Sequence, residues 1–210
     1  MLNIALPKGR LGNQVAGLLR NCGLEADLSD LGRRLTVEDP AAGIRYFLVK
    51  PWDVPVYGDS GVADLGATGR DTLLESRADI YELLDLGLGR CRMAVAGMPN
   101  TPLSGRLRVA TKYPVIAREY FSARVADARF IKLSGSVELA PILGLSDVIV
   151  DIVETGATLR ANGLEVLADI LPVSARLVAN KASCKFKEKE IEALLEPMAQ
   201  ACAKEREVVA

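Results

Sequence analysis

The sequence predicts an α/β protein of two halves built on mixed sheets, and three observations carry that reading. Short β-like runs alternate with apolar residues at helical spacing along the chain, the alternation expected of α/β layers. The 210 residues, 50% of them hydrophobic, suffice for one large domain or two small ones with a real core. A glycine-punctuated stretch, Asp85-Leu86-Gly87-Leu88-Gly89, separates two such series and reads as a hinge.

Leu2 to Leu6 reads as the first strand. Leu11, Val15, Leu18, Leu19 and Cys22 then fall on one helical face, with Gly23 as the C-cap. Leu35 to Val37 and Arg45 to Val49 form a strand pair around Glu38-Asp39-Pro40. Asp53 to Ser60 suggests a short helix, Val62 to Ala67 a strand, and Asp71 to Ser76 the start of another helix. Beyond the hinge, β signals recur at Arg92 to Ala96, Arg106 to Ala110, Arg129 to Leu133 and Asp147 to Val153. Helices are expected at Tyr113 to Ala123 and Val137 to Leu143. Pro172 divides two further β-like runs, Leu164 to Leu171 and Val173 to Val178, because proline breaks a ladder. From Lys187 onward Ile191, Leu194, Leu195, Met198 and Cys202 make a helical stripe that Pro197 should kink or end early.

Composition removes several function classes. With 26 Lys+Arg against 27 Asp+Glu, bulk charge does not hold this chain to nucleic acid or to a membrane. There is no histidine, which excludes Ser-His-Asp and Cys-His nucleophiles, histidine general bases and imidazole metal sites. Cys22, Cys91, Cys184 and Cys202 form no Cys-x-x-Cys pair and are expected as buried free thiols in a reducing compartment. The apolar start, Met1 to Leu6, is too short for a signal-peptide core, and no uncharged run approaches the ~20 residues of a membrane span. A soluble cytoplasmic protein is expected.

The chemistry concentrates between Asp147 and Leu159. An apolar run containing Asp151 leads into Glu154-Thr155-Gly156-Ala157-Thr158, followed by a short helical pattern that stops at Asn162-Gly163. A strand, a small-residue bend and a helix start bring main-chain N–H groups toward an anion, most often a phosphate, with Thr155 and Thr158 adding hydroxyls. Asp151 and Glu154 fall near the C-terminal end of the strand, where open α/β sheets bind ligands. Carboxylates beside a phosphate need another object, and sugar hydroxyls or Mg²⁺ are the natural ones. A phosphorylated ribose offers both phosphate and diol. The plainer alternative is that Asp147 and Glu154 are solvated strand ends, that Asp151 caps a turn, and that Thr-Gly-x-Thr merely starts a helix.

The run DIVETGATLRANGL, residues 151–164, is similar to the phosphoribosyl-pyrophosphate (PRPP) loop of ATP phosphoribosyltransferases, which begin histidine biosynthesis. The resemblance extends in order through residues 4–12 (IALPKGRLG), 49–75 (VKPWDVPVYGDSGVADLGATGRDTLLE), 109–121 (VATKYPVIAREYF), 135–141 (GSVELAP) and 176–183 (RLVANKAS). It implies a two-lobed fold like that of periplasmic binding proteins, with an active-site cleft. The expected first lobe is residues 1–89 plus 179–210, and the second is 90–178. It also implies the short form of the enzyme, working as a homodimer within a hetero-oligomer beside a regulatory subunit similar to histidyl-tRNA synthetase.

The implied reaction joins ATP to PRPP at adenine N1, releases pyrophosphate and requires Mg²⁺, carried by the substrate. The resemblance assigns Glu154, Thr155, Gly156, Ala157, Thr158 and Leu159 to the 5′-phosphate and ribose loop, and Asp151 to ribose hydroxyls or metal-bound water. Lys8, Arg10, Arg33 and Lys50 are the implied cations for the pyrophosphate. Gly69 and Asp71, in a second loop Gly66 to Asp71 with Asp71 as N-cap, and Glu138 are implied on the nucleotide side. Trp52 is expected as a packed core indole. Two rivals are a single-lobe phosphoribosyltransferase of nucleotide metabolism, which usually has two adjacent acids where this chain has Val150-Asp151, and a non-catalytic solute-binding module.

Overall fold

The computed structural model describes residues 1–24 and 35–209, and these form two compact units. The first comprises Met1–Gly89 and Ser174–Ala210, the second Arg90–Val173. The chain therefore returns to the first unit at Ser174, five residues before the expected boundary at residue 179. The reason is strand pairing: β11 (Ala175–Asn180) runs antiparallel between β4 (Leu65–Gly69) and β5 (Ile80–Asp85), so it belongs to the first sheet.

That sheet has the order β2-β3-β1-β4-β11-β5, with β1 at Leu2–Pro7, β2 at Thr36–Asp39 and β3 at Ile44–Val49. Strands β1, β3 and β4 are parallel, so their C-terminal ends lie at one end of the sheet. One face buries Leu2, Ile4, Leu6, Tyr46 and Leu177 under α1 (Arg10–Asn21) and α8 (Glu188–Val209). On the other, Val54 of α2 (Val54–Asp59) joins Ala5 and Ala63. Helix α8 runs through Pro197 instead of ending there. Ile191 and Leu194 before the proline and Met198 and Cys202 after it are all buried in one core, which holds the two halves in line.

The second sheet has the order β10-β6-β9-β7-β8. Its strands are β6 (Cys91–Gly97), β7 (Arg106–Thr111), β8 (Asp127–Lys132), β9 (Val148–Val153) and β10 (Glu165–Val173). Strands β7, β8 and β9 are parallel, whereas β6 and β10 are antiparallel to their neighbours. One face packs Met93, Val95, Val109 and Val150 against Ile116 and Phe121 of α4 (Pro114–Ser122). The other packs Ala94, Ala96, Ala110 and Ile149 against Ala140 of α5 (Leu139–Ile142) and Leu159 of α6 (Ala157–Ala161). Pro172 does not interrupt β10, where it pairs with Arg92. Strand β10 is at the sheet edge, so the missing proline N–H leaves no buried ladder position unsatisfied.

Trp52, expected in the core, is 39% exposed in the 3-10 turn Pro51–Asp53. Of the four free cysteines only Cys202 is buried; the others are partly exposed. Among the described residues no helix is long and apolar enough to cross a membrane.

Candidate active site

In the second unit, β9 ends at Val153 and the chain bends through Glu154 and Thr155 to Gly156, which has φ 72°. That left-handed backbone suits glycine, and a Cβ there would come within 3.1 Å of Arg160 Nη1. Arg160 braces the bend by donating from Nη1 to the Thr155 carbonyl at 2.9 Å. The Ala157 amide donates to Thr155 Oγ1 at 3.3 Å. Leu159 anchors the far side, 5% exposed and packed with Val153 and Leu164. Both ends of the bend are thus fixed, while Glu154, Thr155, Ala157 and Thr158 remain exposed.

Helix α6 has five residues, so its macrodipole is slight and any anion here is held mainly by local donors. The first-turn amides of Thr158 and Leu159 have no intrahelical acceptor, and the Thr158 hydroxyl lies beside them. Leu159 can contribute only main chain, because its side chain is core. Asp151 is opposite Ala94 in the β9–β6 ladder and shares the sheet face of Ile149 and Val153. Its Oδ1 accepts from the Ile152 amide at 2.8 Å. A partly buried carboxylate thus precedes an amide-rich bend by a few residues. Glu138 precedes α5, which follows β8, and so belongs to the same end of the sheet.

Asp147, at the other end of β9, has a different task. It accepts from the Arg108 amide at 2.7 Å and from Arg108 Nη2 at 2.7 Å, tying β7 to β9. The hydrogen bonds from Arg108 hold its carboxyl below the ordinary aspartate range, against the opposing effect of partial burial.

The first unit gathers its own candidates at the C-terminal ends of β1, β3 and β4. Lys8 follows β1 and donates its amide to Val49 O at 2.8 Å, which places it beside Lys50 just after β3. Both side chains are exposed, as is Arg10 at the start of α1. The glycines of PKGRLG have separate reasons: Gly9 adopts φ 95°, and a Cβ on Gly12 would overlap the Pro7 carbonyl, so α1 packs directly on the end of β1. Arg33 lies outside the described residues.

The expected second loop, Gly66 to Asp71, is largely strand. Gly66, Ala67 and Thr68 are buried within β4, and the turn is confined to Gly69. Gly66 is a packing requirement, since a Cβ would meet Val54 Cγ1 at 2.8 Å and Ala5 O at 3.4 Å. Gly69, not Asp71, is the N-cap of α3 (Arg70–Ser76). Asp71 sits in the first turn, 8% exposed, with its carboxylate folded over Gly69.

The structure thus brings Lys8, Arg10, Lys50, Gly69 and Asp71 to one sheet end in the first unit. Asp151, Glu154 to Leu159 and Glu138 are gathered at one sheet end in the second. The brace from Arg160 was not anticipated; its only trace in the sequence is an arginine one turn beyond Gly156. Among the described residues no group of three or more His, Cys, Asp or Glu is arranged to hold a metal ion.

Residues 50–200 match the family profile described as ATP phosphoribosyltransferase. The chain is 52% identical over 198 residues to an ATP phosphoribosyltransferase of Caldanaerobacter subterraneus subsp. tengcongensis, covering 93% of this chain and 94% of that one. It superposes with TM-score 0.84 and 38% identity on a chain of the ATP phosphoribosyl transferase (HisG:HisZ) complex from Thermotoga maritima, over 98% of this chain and 99% of that one. The periplasmic aliphatic sulphonate binding protein SsuA of Escherichia coli matches over 98% of this chain and 74% of its own, with TM-score 0.60 and 17% identity, a likeness of fold alone.

Proposed function

From its membership of the ATP phosphoribosyltransferase family, to which this chain belongs, we propose how its own residues perform the first step of histidine biosynthesis. The reaction transfers the phosphoribosyl group of PRPP to N1 of the adenine of ATP and releases pyrophosphate. Adenine N1 already presents a lone pair at neutral pH, so a chain without histidine lacks nothing that the bond-forming step needs. What remains is positioning and support for an oxocarbenium-like sugar and a departing polyanion.

The bend at Gly156 is the observation that carries the assignment of roles. The amides of Thr158 and Leu159 and the hydroxyls of Thr155 and Thr158 receive the 5′-phosphate, with Gly156 and Ala157 keeping the approach open. Asp151 and Glu154 take the ribose hydroxyls. Lys8, Arg10, Arg33 and Lys50 attract the pyrophosphate, the arginines by paired donors and the lysines as point charges. Gly69, Asp71 and Glu138 complete the nucleotide side. Mg²⁺ enters as part of the substrate: it favours phosphate oxygens, water and one or two carboxylates, a donor set that Asp151, Glu154 and the diphosphate provide between them.

The Thermotoga complex supports a regulatory partner of the same kind for this chain, and a reaction that consumes ATP and PRPP belongs in the cytoplasm. The test is to mix purified chain with ATP, PRPP and Mg²⁺, with and without that partner, and follow the ultraviolet change that accompanies substitution on adenine. The expected change needs all three reactants and responds to the partner and to histidine. No change in either mixture overturns the proposal in favour of a binding protein.

A further inference from the structure

The end of β7 carries a cation that none of these roles uses. Lys112 directly follows β7, and Thr111 is opposite Val150 in the parallel β7–β9 ladder, so Lys112 stands level with Asp151 at the C-terminal end of the two strands. Its position is fixed by a buried side chain. Thr111 is 0% exposed, donates from Oγ1 to Val150 O at 2.6 Å and accepts at the same oxygen from the Tyr113 amide at 2.8 Å. One hydroxyl thus sets the turn between β7 and α4 and pins it to the strand that leads into the Gly156 bend.

Lys112 is partly buried, and among the described residues its ammonium makes no ion pair or hydrogen bond. Other cations near this sheet end are occupied or remote. Arg92 Nε is 2.8 Å from Asp169, and Arg160 is committed to Thr155 O. Lys132, at the end of β8, is exposed and one strand farther from β9, a displacement of about 5 Å. A cation that makes no ion pair among the described residues, adjacent to a bend suited to phosphate, is completed by an anion from outside the chain.

We propose that Lys112 is a binding residue for PRPP, donating to a phosphate oxygen of that substrate from the β7 side of the bend. The inference rests on the reading of this unit as the PRPP-holding half. It concerns the phosphate-rich sugar and not adenine, because Lys112 stands level with Asp151 and next to the strand that carries the Gly156 bend.

The test is calorimetric titration of PRPP and, separately, ATP, each with Mg²⁺, into the folded chain and into Lys112→Ala, Lys112→Gln, Lys112→Arg and Lys132→Ala. Circular dichroism and thermal unfolding check the fold of each variant. The expected result is PRPP affinity lower by roughly 10- to 100-fold in Lys112→Ala and Lys112→Gln, substantial recovery in Lys112→Arg, and ATP affinity unchanged. Lys132→Ala should match wild type. PRPP affinity within about twofold of wild type in both neutral variants overturns the inference, as does an equal loss for ATP. Either result, with wild type still binding PRPP, leaves the broader reading intact. A wild-type chain that binds no PRPP overturns both.

Discussion

Lys187 Nζ lies 2.7 and 2.8 Å from the two carboxylate oxygens of Asp64, a residue 3% exposed and 123 positions away in the chain. The same carboxylate accepts from the Asn3 amide at 2.8 Å and from Ser183 Oγ at 2.6 Å. One buried acid therefore joins β1, the chain just before β4, α7 (Lys181–Phe186) and the residue that precedes α8. Burial alone would raise its pKa, but hydrogen bonds from Lys187, Ser183 and Asn3 outweigh it and hold the carboxyl below the ordinary aspartate value. A folded-state pKa below the unfolded value of about 3.9 gives stability that is complete above that pH and is lost as pH falls through the folded value. Lys187→Met should cost about 2–3 kcal/mol, less than a fully buried pair because the lysine side chain is 33% exposed. It should also move the acid-unfolding midpoint upward, read by circular dichroism. An unchanged midpoint contradicts the network.

Asp147, just before β9, and Asp151, within it, should separate by function. Asp147 is held by Arg108 and ties β9 to β7, whereas Asp151 faces the sheet end that leads into the Gly156 bend. Asp147→Asn should lower the unfolding temperature modestly while leaving the Michaelis constant for PRPP unchanged. Asp151→Asn should do the reverse, reducing turnover at least about a hundredfold with little effect on unfolding. Steady-state kinetics and a thermal melt on both variants decide it, and similar effects at the two positions contradict the division.

Tyr46 provides a test of the first core. It is 0% exposed, and its hydroxyl has no hydrogen-bond partner. Burial, with the nearby Asp39 charge, pushes its pKa up to about 12. A pKa raised above the unfolded value of about 10 means that this stability is complete below pH 10 and is lost as pH rises through 12. Spectrophotometric titration should show a late tyrosine ionisation that coincides with alkaline unfolding. Tyr46→Phe should remove that late step and be neutral or stabilising by up to about 1 kcal/mol, because it deletes a buried polar atom without a partner.

The strands that alternate with helices were legible because apolar runs and helical spacing differ in period, and Leu2–Pro7, Ile44–Val49 and Val148–Val153 form where the pattern places them. The bend at Gly156 was legible because a glycine between an apolar run and a helical pattern marks a turn with left-handed backbone. What the pattern does not contain is which sheet a strand joins. The run Val173 to Val178 reads as part of the second lobe, yet Ala175–Asn180 belongs to the first unit, where it pairs with β4 on one side and β5 on the other. Ile80–Asp85 was missed altogether: three of its six residues are charged or tyrosine, and it forms as an edge strand whose inner partner is β11. Lys112 gives no periodic signal either, since its position follows from a threonine bonded to a neighbouring strand 39 residues on.

Gly66 and Gly69, which bracket Ala67-Thr68, make the last prediction, because they are alike in sequence and opposite in cause. Gly66 is enclosed by rigid neighbours: a Cβ there meets Val54 Cγ1 at 2.8 Å and Ala5 O at 3.4 Å. Val54 is itself 0% exposed, so it cannot withdraw without moving α2. Gly66→Ala should therefore destabilise by about 1–3 kcal/mol, the cost of overpacking, and affect catalysis only through the folded fraction. Gly69 has φ −68°, which alanine adopts without strain, and the atom in the way is a carboxylate oxygen of Asp71, the end of a side chain that can rotate. Gly69→Ala should instead displace Asp71 from its buried position. If Asp71 serves the nucleotide, the Michaelis constant for ATP rises in Gly69→Ala while that for PRPP stays, and Asp71→Asn reproduces the pattern. A Gly69→Ala variant that loses stability and retains its ATP constant would show that Asp71 is held there for the fold alone.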